Sequence, residues 1–112
     1  AWVVLPAVVL TIIFLTEMTS NSATTSTFLP IAAALAAGFA MAPVSLGAAV
    51  AMASSCAFML PVATPPNAIV FSSGKLPLAT MMRTGFKLNI VAWIVISSWM
   101  AVSAPWAANL LR

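Results

Sequence analysis

Hydrophobic and polar positions alternate in long blocks along this chain. Residues 1–15 (AWVVLPAVVLTIIFL) are apolar, residues 16–27 (TEMTSNSATTST) carry hydroxyls, an amide and a carboxylate, and residues 28–37 (FLPIAAALAA) are apolar again. Gly38 and Pro43 in GFAMAPVS, 38–45, read as a turn. The next block, VSLGAAVAMASSCAFMLPVA over 44–63, is rich in small residues and is expected to be helical until ATPPNA, 63–68, interrupts it. Pro65 and Pro66 lack an N–H, and each disfavours helix in the residue before it, so the helix is expected to break near Thr64. AIVFSS, 68–73, is a short second half. GKLPLATMMRTGFK, 74–87, follows as a loop or short surface helix, and 88–110 is one long apolar helix. A simple proline kink at Pro65–Pro66 is the plainer alternative to real unwinding, but Thr64 and Asn67 on either side favour unwinding.

Composition decides the solvent. Hydrophobic residues make up 63% of the 112 and charged residues 4%, with a mean hydropathy of +1.16. A soluble domain carries about a quarter charged residues, so lipid is the solvent this surface fits, and the fold class is an all-α integral membrane protein. Lengths now acquire meaning. Residues 1–15 would reach about 22 Å as a helix, short of a hydrocarbon core about 30 Å thick. Two short apolar arms around a polar tip form the pattern of a re-entrant hairpin over 1–37, whose tip must be buried in protein or face water. Two tilted spanning helices with an exposed loop are the alternative, which the short arms disfavour. Residues 44–73 then form a discontinuous transmembrane helix broken at Thr64–Asn67, and 88–110, at about 34 Å, form a final span with Trp106 near its end.

Charge sets orientation and excludes several functions. The net charge is +3, from four basic residues and one acid, Glu17. That is too thin for a nucleic-acid surface. Lys75, Arg83 and Lys87 put 74–87 in the cytoplasm by the positive-inside rule, which leaves Arg112 outside and makes the hairpin dip in from the outside. One cysteine and no histidine rule out an intrachain disulfide and argue against zinc. Cys56, in SSCAFML, reads as a packing residue. The chain opens at Ala1 in an apolar run without a basic flank. It therefore reads as the C-terminal piece of a longer protein and not as a signal peptide.

Interrupted membrane helices are where transporters hold substrate and ions. Unwound backbone frees carbonyl oxygens, which together with Ser, Thr and Asn oxygens suit Na⁺. Half-helix N-termini offer N–H groups and a positive dipole end to a carboxylate. A helix starting near Ser20 or Asn21 gains a cap and an anion site together, and a helix starting after Asn67 would do the same. Ser20, Asn21 and Thr64 are the functional candidates. Thr24, Thr25, Ser26 and Thr27 are expected to bond the backbone turn above them. Glu17 either touches a ligand or orients the tip through hydrogen bonds.

TEMTSNSATT…FLPI followed by SSCAFMLPVATPPNAIVFSSG resembles the C-terminal end of the divalent anion/sodium symporter family, the di- and tricarboxylate transporters, over roughly 14–105. The resemblance implies a fold of two inverted repeats, each with a re-entrant hairpin bearing a Ser-Asn-Thr motif and a broken helix. It also implies a homodimer that works by an elevator motion. This chain would supply the second repeat's hairpin, broken helix and final helix, and the N-terminal remainder would supply the other half of the site. Residue by residue, Ser20-Asn21-Ser22 matches the second Ser-Asn-Thr, which contacts substrate, and Thr64 matches a substrate-contacting threonine. Thr16, Thr19, Asn21, Ala63 and Pro65 match positions that hold the second sodium. Ser22 departs from the family threonine, which leaves substrate size and selectivity open.

The leading expectation is a sodium-coupled symporter of di- or tricarboxylates such as succinate or citrate, multi-pass in the cell membrane, with Na⁺ as coupling ion and no cofactor. The alternatives are a symporter of another anion such as sulfate on the same fold, or a non-transporting membrane scaffold. An enzyme is disfavoured because no Asp or His stands ready to activate a serine.

Overall fold

The computed structural model describes residues 3–39 and 41–110, with side-chain environments through Ser103. Five helices account for most of these: α1, Val4–Leu15; α2, Asn21–Gly38; α3, Pro43–Ala53; α4, Pro65–Ser72; and α5, Leu78–Leu110.

Helix α1 is built from Val, Ile and Leu, whose β-branched members are only modest helix formers. Packing sustains it instead: Leu5, Val9, Ile12 and Ile13 recur at helical spacing and are all buried. With 12 residues it is about 18 Å long. Helix α2 opens at a cap. Ser20 sits in extended backbone (φ −67°, ψ 146°), and its hydroxyl accepts from the Ala23 N–H at 3.0 Å. Pro30 is accommodated within α2. Ala32 and Ala36, one turn apart and buried, let α2 lie close against the Leu46, Ala49 and Val50 face of α3. Small residues of this kind allow close backbone approach in lipid. Pro43 stands first in α3, where its missing N–H costs nothing.

Helix α3 ends earlier than its apolar run. It stops at Ala53, not near residue 63, and 54–64 is non-helical. Three side chains turn back onto its last carbonyls: Ser54 Oγ donates to Ala51 O at 3.0 Å, Ser55 Oγ to the same oxygen at 3.1 Å, and Cys56 Sγ to Met52 O at 3.3 Å. The proline pair opens a helix and does not break one. Thr64 is the N-cap of α4, and Pro65 and Pro66 fill its first turn.

Gly74, at φ +75°, makes the turn into α5, which starts at Leu78, so Arg83 and Lys87 of the basic stretch lie on the last helix and not in a loop. At 33 residues, α5 is about 50 Å long. Among the described residues it alone is long and apolar enough to cross a membrane, over Leu78–Ser103. Val91, Ile94, Val95, Trp99 and Val102 are exposed along it, an apolar surface suited to hydrocarbon. Its other side carries Ile96 and Met100 into the core shared with α1 and α3, and Trp93 Nε1 donates to the Pro6 carbonyl of α1 at 2.9 Å. Arg112, expected outside, and the side chain of Trp106, near the end of the final span, lie outside the described residues.

Candidate functional site

The tip between α1 and α2 comprises residues 16–20, and it packs against the start of the 54–64 interruption. Thr16 is fully buried. Its hydroxyl lies 2.9 Å from Asn21 Oδ1 and 2.9 Å from the Ser54 carbonyl. One proton serves two acceptors here, so three oxygens gather around a single hydrogen. Thr25 and Ser54 join their hydroxyls beside this group. Asn21, Ser22, Thr25, Ser26 and Ser55 line a shallow open cleft of about 330 Å³.

The cleft lies at the N-terminus of α2. Ala23 N–H is taken by the Ser20 hydroxyl and Thr24 N–H by the Ser20 carbonyl, while the Asn21 and Ser22 N–H groups have no partner among the described residues. Free N–H groups at the positive end of a helix dipole, beside serine hydroxyls, suit an anion. Thr24 and Thr25 donate to the carbonyls of Ser20 and Asn21, each at 2.9 Å, as helical hydroxyls do. Ser26 and Thr27 form no such bond among the described residues, and Ser26 faces the cleft instead.

The N-terminus of α4 is a different kind of end. The expected cap and anion site at a helix starting after Asn67 are not found there: Thr64 is the cap, and no free donors follow it. Pro65 and Pro66 have no N–H, Asn67 N–H is used by Thr64 Oγ1 at 3.3 Å, and Ala68 N–H bonds the Thr64 carbonyl at 3.1 Å. The helix begins at Pro65, not after Asn67, and its first turn has no free backbone donor. What remains is the dipole and the Thr64 hydroxyl, which accepts from Asn67 and keeps its own proton to give.

The other expected site residues are spread along this frame. Thr19 is exposed on the tip, where it donates to Leu15 O at 3.1 Å and meets the Thr24 hydroxyl at 2.5 Å. Ala63 is buried and Pro65 exposed at the far end of the interruption. No hydrogen bond joins Ala63, Thr64 or Pro65 to the tip among the described residues. Thr16, Asn21 and Ser22 are brought together, while the positions near Thr64 form a second group.

Glu17, Asn67 and Gly85 organise the interruption, and of Glu17's two expected roles the structure displays the hydrogen bonds. Glu17 is 3% exposed. Its carboxylate accepts from Met59 N–H at 3.1 and 3.2 Å, from Leu60 N–H at 3.0 Å and from Asn89 Nδ2 at 3.0 Å. Asn67, expected only to start a helix, donates through Nδ2 to the Ala57 and Leu60 carbonyls at 2.7 and 3.0 Å. Gly85 lets the crossing backbone reach α5: a Cβ there would overlap the Phe58 carbonyl and sit 2.5 Å from Met59 Cα. The backbone of 57–60 is thus held by a carboxylate on its donors, an amide on its acceptors and a glycine beneath it. The signals were a lone acid, Glu17, and the amides of Asn67 and Asn89, but sequence spacing does not say which groups they bond.

Residues 1–111 match the family described as "Sodium:sulfate symporter transmembrane region". The chain belongs to this family. It is the divalent anion/sodium symporter family that the Ser-Asn-Ser and Thr-Pro-Pro-Asn segments resemble. Among curated relatives, the chain is 48% identical over 87 residues to an uncharacterized transporter of Haemophilus influenzae, covering 78% of this chain and 19% of that protein. It is 45% identical over 94 residues to the sodium-dependent dicarboxylate transporter SdcS of Staphylococcus saprophyticus, covering 84% of this chain and 18% of the relative. To SdcS of Staphylococcus aureus strain USA300 it is 49% identical over 81 residues, covering 72% of this chain and 16% of the relative. The chain therefore spans less than a fifth of the length of these symporter-family relatives.

Proposed function

We propose that this chain is the C-terminal part of a sodium-coupled symporter of di- or tricarboxylates. The observation that carries this reading is the polar cleft at the N-terminus of α2, where the Asn21 and Ser22 N–H groups have no partner among the described residues. One substrate carboxylate binds there, against Ser20, Asn21 and Ser22, and receives a further hydrogen bond from the Thr64 hydroxyl. Kinship with sodium-dependent dicarboxylate transporters supports the substrate class.

Sodium, the co-transported ion, is held by oxygens of Thr16, Thr19, Asn21, Ala63 and Pro65. The approach of Thr16 Oγ1 to Asn21 Oδ1, 2.9 Å, supports the first part of this set. Convergence of the Ala63 and Pro65 carbonyls on it belongs to the proposal. So do the inverted-repeat architecture, the re-entrant course of the hairpin, the elevator motion, the homodimer, the cytoplasmic placement of 74–87 and the external C-terminus. The N-terminal remainder would contribute the other half of the site.

A second anion is favoured by one observation: the matching family description names sulfate. The test is uptake by the full-length protein in proteoliposomes under an imposed sodium gradient, with labelled succinate and unlabelled citrate or sulfate as competitors. Sodium-driven succinate uptake that sulfate does not inhibit is the expected result. Succinate uptake indifferent to sodium would refute the coupling, and strong competition by sulfate alone would move the assignment to that anion.

A further inference from the structure

The Glu17 carboxylate is buried, yet no basic side chain forms an ion pair with it among the described residues. A charge in that position is costly unless hydrogen bonds replace water. All its partners are N–H donors: Met59 N, Leu60 N and Asn89 Nδ2, at 3.0 to 3.2 Å. An ionised carboxylate only accepts, so it matches a ring of donors that neither a neutral acid nor an amide can match.

The three partners come from two different places. Met59 and Leu60 belong to the interruption, and Asn89 belongs to α5 and is fully buried. Glu17 itself sits next to Thr16 on the tip, whose hydroxyl touches Asn21 and the Ser54 carbonyl. One side chain therefore fastens tip, interruption and α5 to each other beside the cleft. We propose that Glu17 is a positioning residue: its ionised carboxylate latches the interrupted 54–64 stretch to the hairpin tip and to α5, so that the binding oxygens of the two interruptions hold one geometry. This rests on the transport reading of the cleft, although the latch itself is measurable without transport.

Residues 57–60 are non-helical, so their amides lack the protection a helix would give. The Met59 and Leu60 N–H groups owe their protection to Glu17. Glu17→Gln keeps the shape but turns an N–H donor toward other donors. If Glu17 merely filled space, this variant would behave like the parent. If it is the latch, amide exchange at Met59 and Leu60 in the purified full-length protein accelerates about 10- to 150-fold, the range set by loss of a hydrogen bond to a charged group. Amides within α3 and the middle of α5 keep their parental protection. In proteoliposomes the same variant needs at least about tenfold more sodium and succinate for half-maximal uptake, with a parental amount of protein in the membrane.

Parental exchange at Met59 and Leu60 in the glutamine variant, with the parent transporting normally, overturns the latch. Absence of sodium-driven uptake in the parent, with the exchange pattern as expected, overturns the transport reading and leaves the latch standing. General loss of protection in α3 and α5 would make Glu17 a folding residue and overturn the local latch.

Discussion

Replacing Gly85 by alanine tests the geometry of the interruption more directly than any polar substitution. Alanine normally stabilises a helix interior by about 1 kcal/mol relative to glycine. At Gly85 the added Cβ meets backbone: the Phe58 carbonyl and carbon, and Met59 Cα at 2.5 Å. No rotamer change relieves that overlap, so the 57–60 segment must lift off α5. Overpacking of this kind costs about 1–3 kcal/mol. Lifting Met59 also draws its N–H from Glu17, and a lost hydrogen bond to a charged group adds about 1.5–3 kcal/mol. After the helix-propensity gain, the net destabilisation is about 1.5–5 kcal/mol. Gly47→Ala is the matched control. Its Cβ would lie 3.4 Å from the end of the Leu29 side chain, an ordinary contact with a flexible neighbour, so it should be neutral or mildly stabilising. The assay is thermal inactivation of both variants of the full-length protein in detergent, read beside sodium-driven uptake. If Gly85→Ala resists heat as well as Gly47→Ala and transports normally, the close crossing of 58–59 over α5 is wrong.

Thr64→Val removes both the α4 cap and the free hydroxyl proton, and apparent substrate affinity should fall about 10- to 150-fold. Thr64→Ser keeps both and should stay near the parent, so indistinguishable valine and serine variants would dismiss the substrate contact. Asn21→Ala should abolish sodium-driven uptake while leaving the protein in the membrane, and a normal sodium dependence in that variant would remove Asn21 from the ion site. Trp93→Phe deletes the indole bond to the Pro6 carbonyl and should cost about 0.5–1.5 kcal/mol, read as faster thermal inactivation; unchanged stability would mean that this bond does not tie α1 to α5. Single cysteines at Val44 and Thr80, both exposed, should react with impermeant reagent from the outside and from the cytoplasm respectively, and labelling of both from one side would refute the proposed orientation.

Local chemistry was legible from the chain alone wherever a residue acts on its own neighbours. Ser20 announces a helix start because a short hydroxyl three residues before a free N–H caps it. Thr24 and Thr25 were readable as helical hydroxyls for the same reason of short range. The proline pair was readable as an interruption but not as its edge. Nothing in SSCAFML forbids helix, so the end of α3 at Ala53 is not a local decision. Met59 and Leu60 leave the helix to give their N–H groups to a carboxylate 42 and 43 residues earlier, and they reach α5 only because residue 85 has no side chain. The sequence by itself determined the solvent, the apolar arms and the Ser20 cap, since these depend on composition and on partners a turn away. The length of the interruption, the burial of Glu17 and the union of tip with α5 were decided by the tertiary structure, because a buried charge takes its hydrogen bonds from whichever backbone the fold brings within about 3 Å.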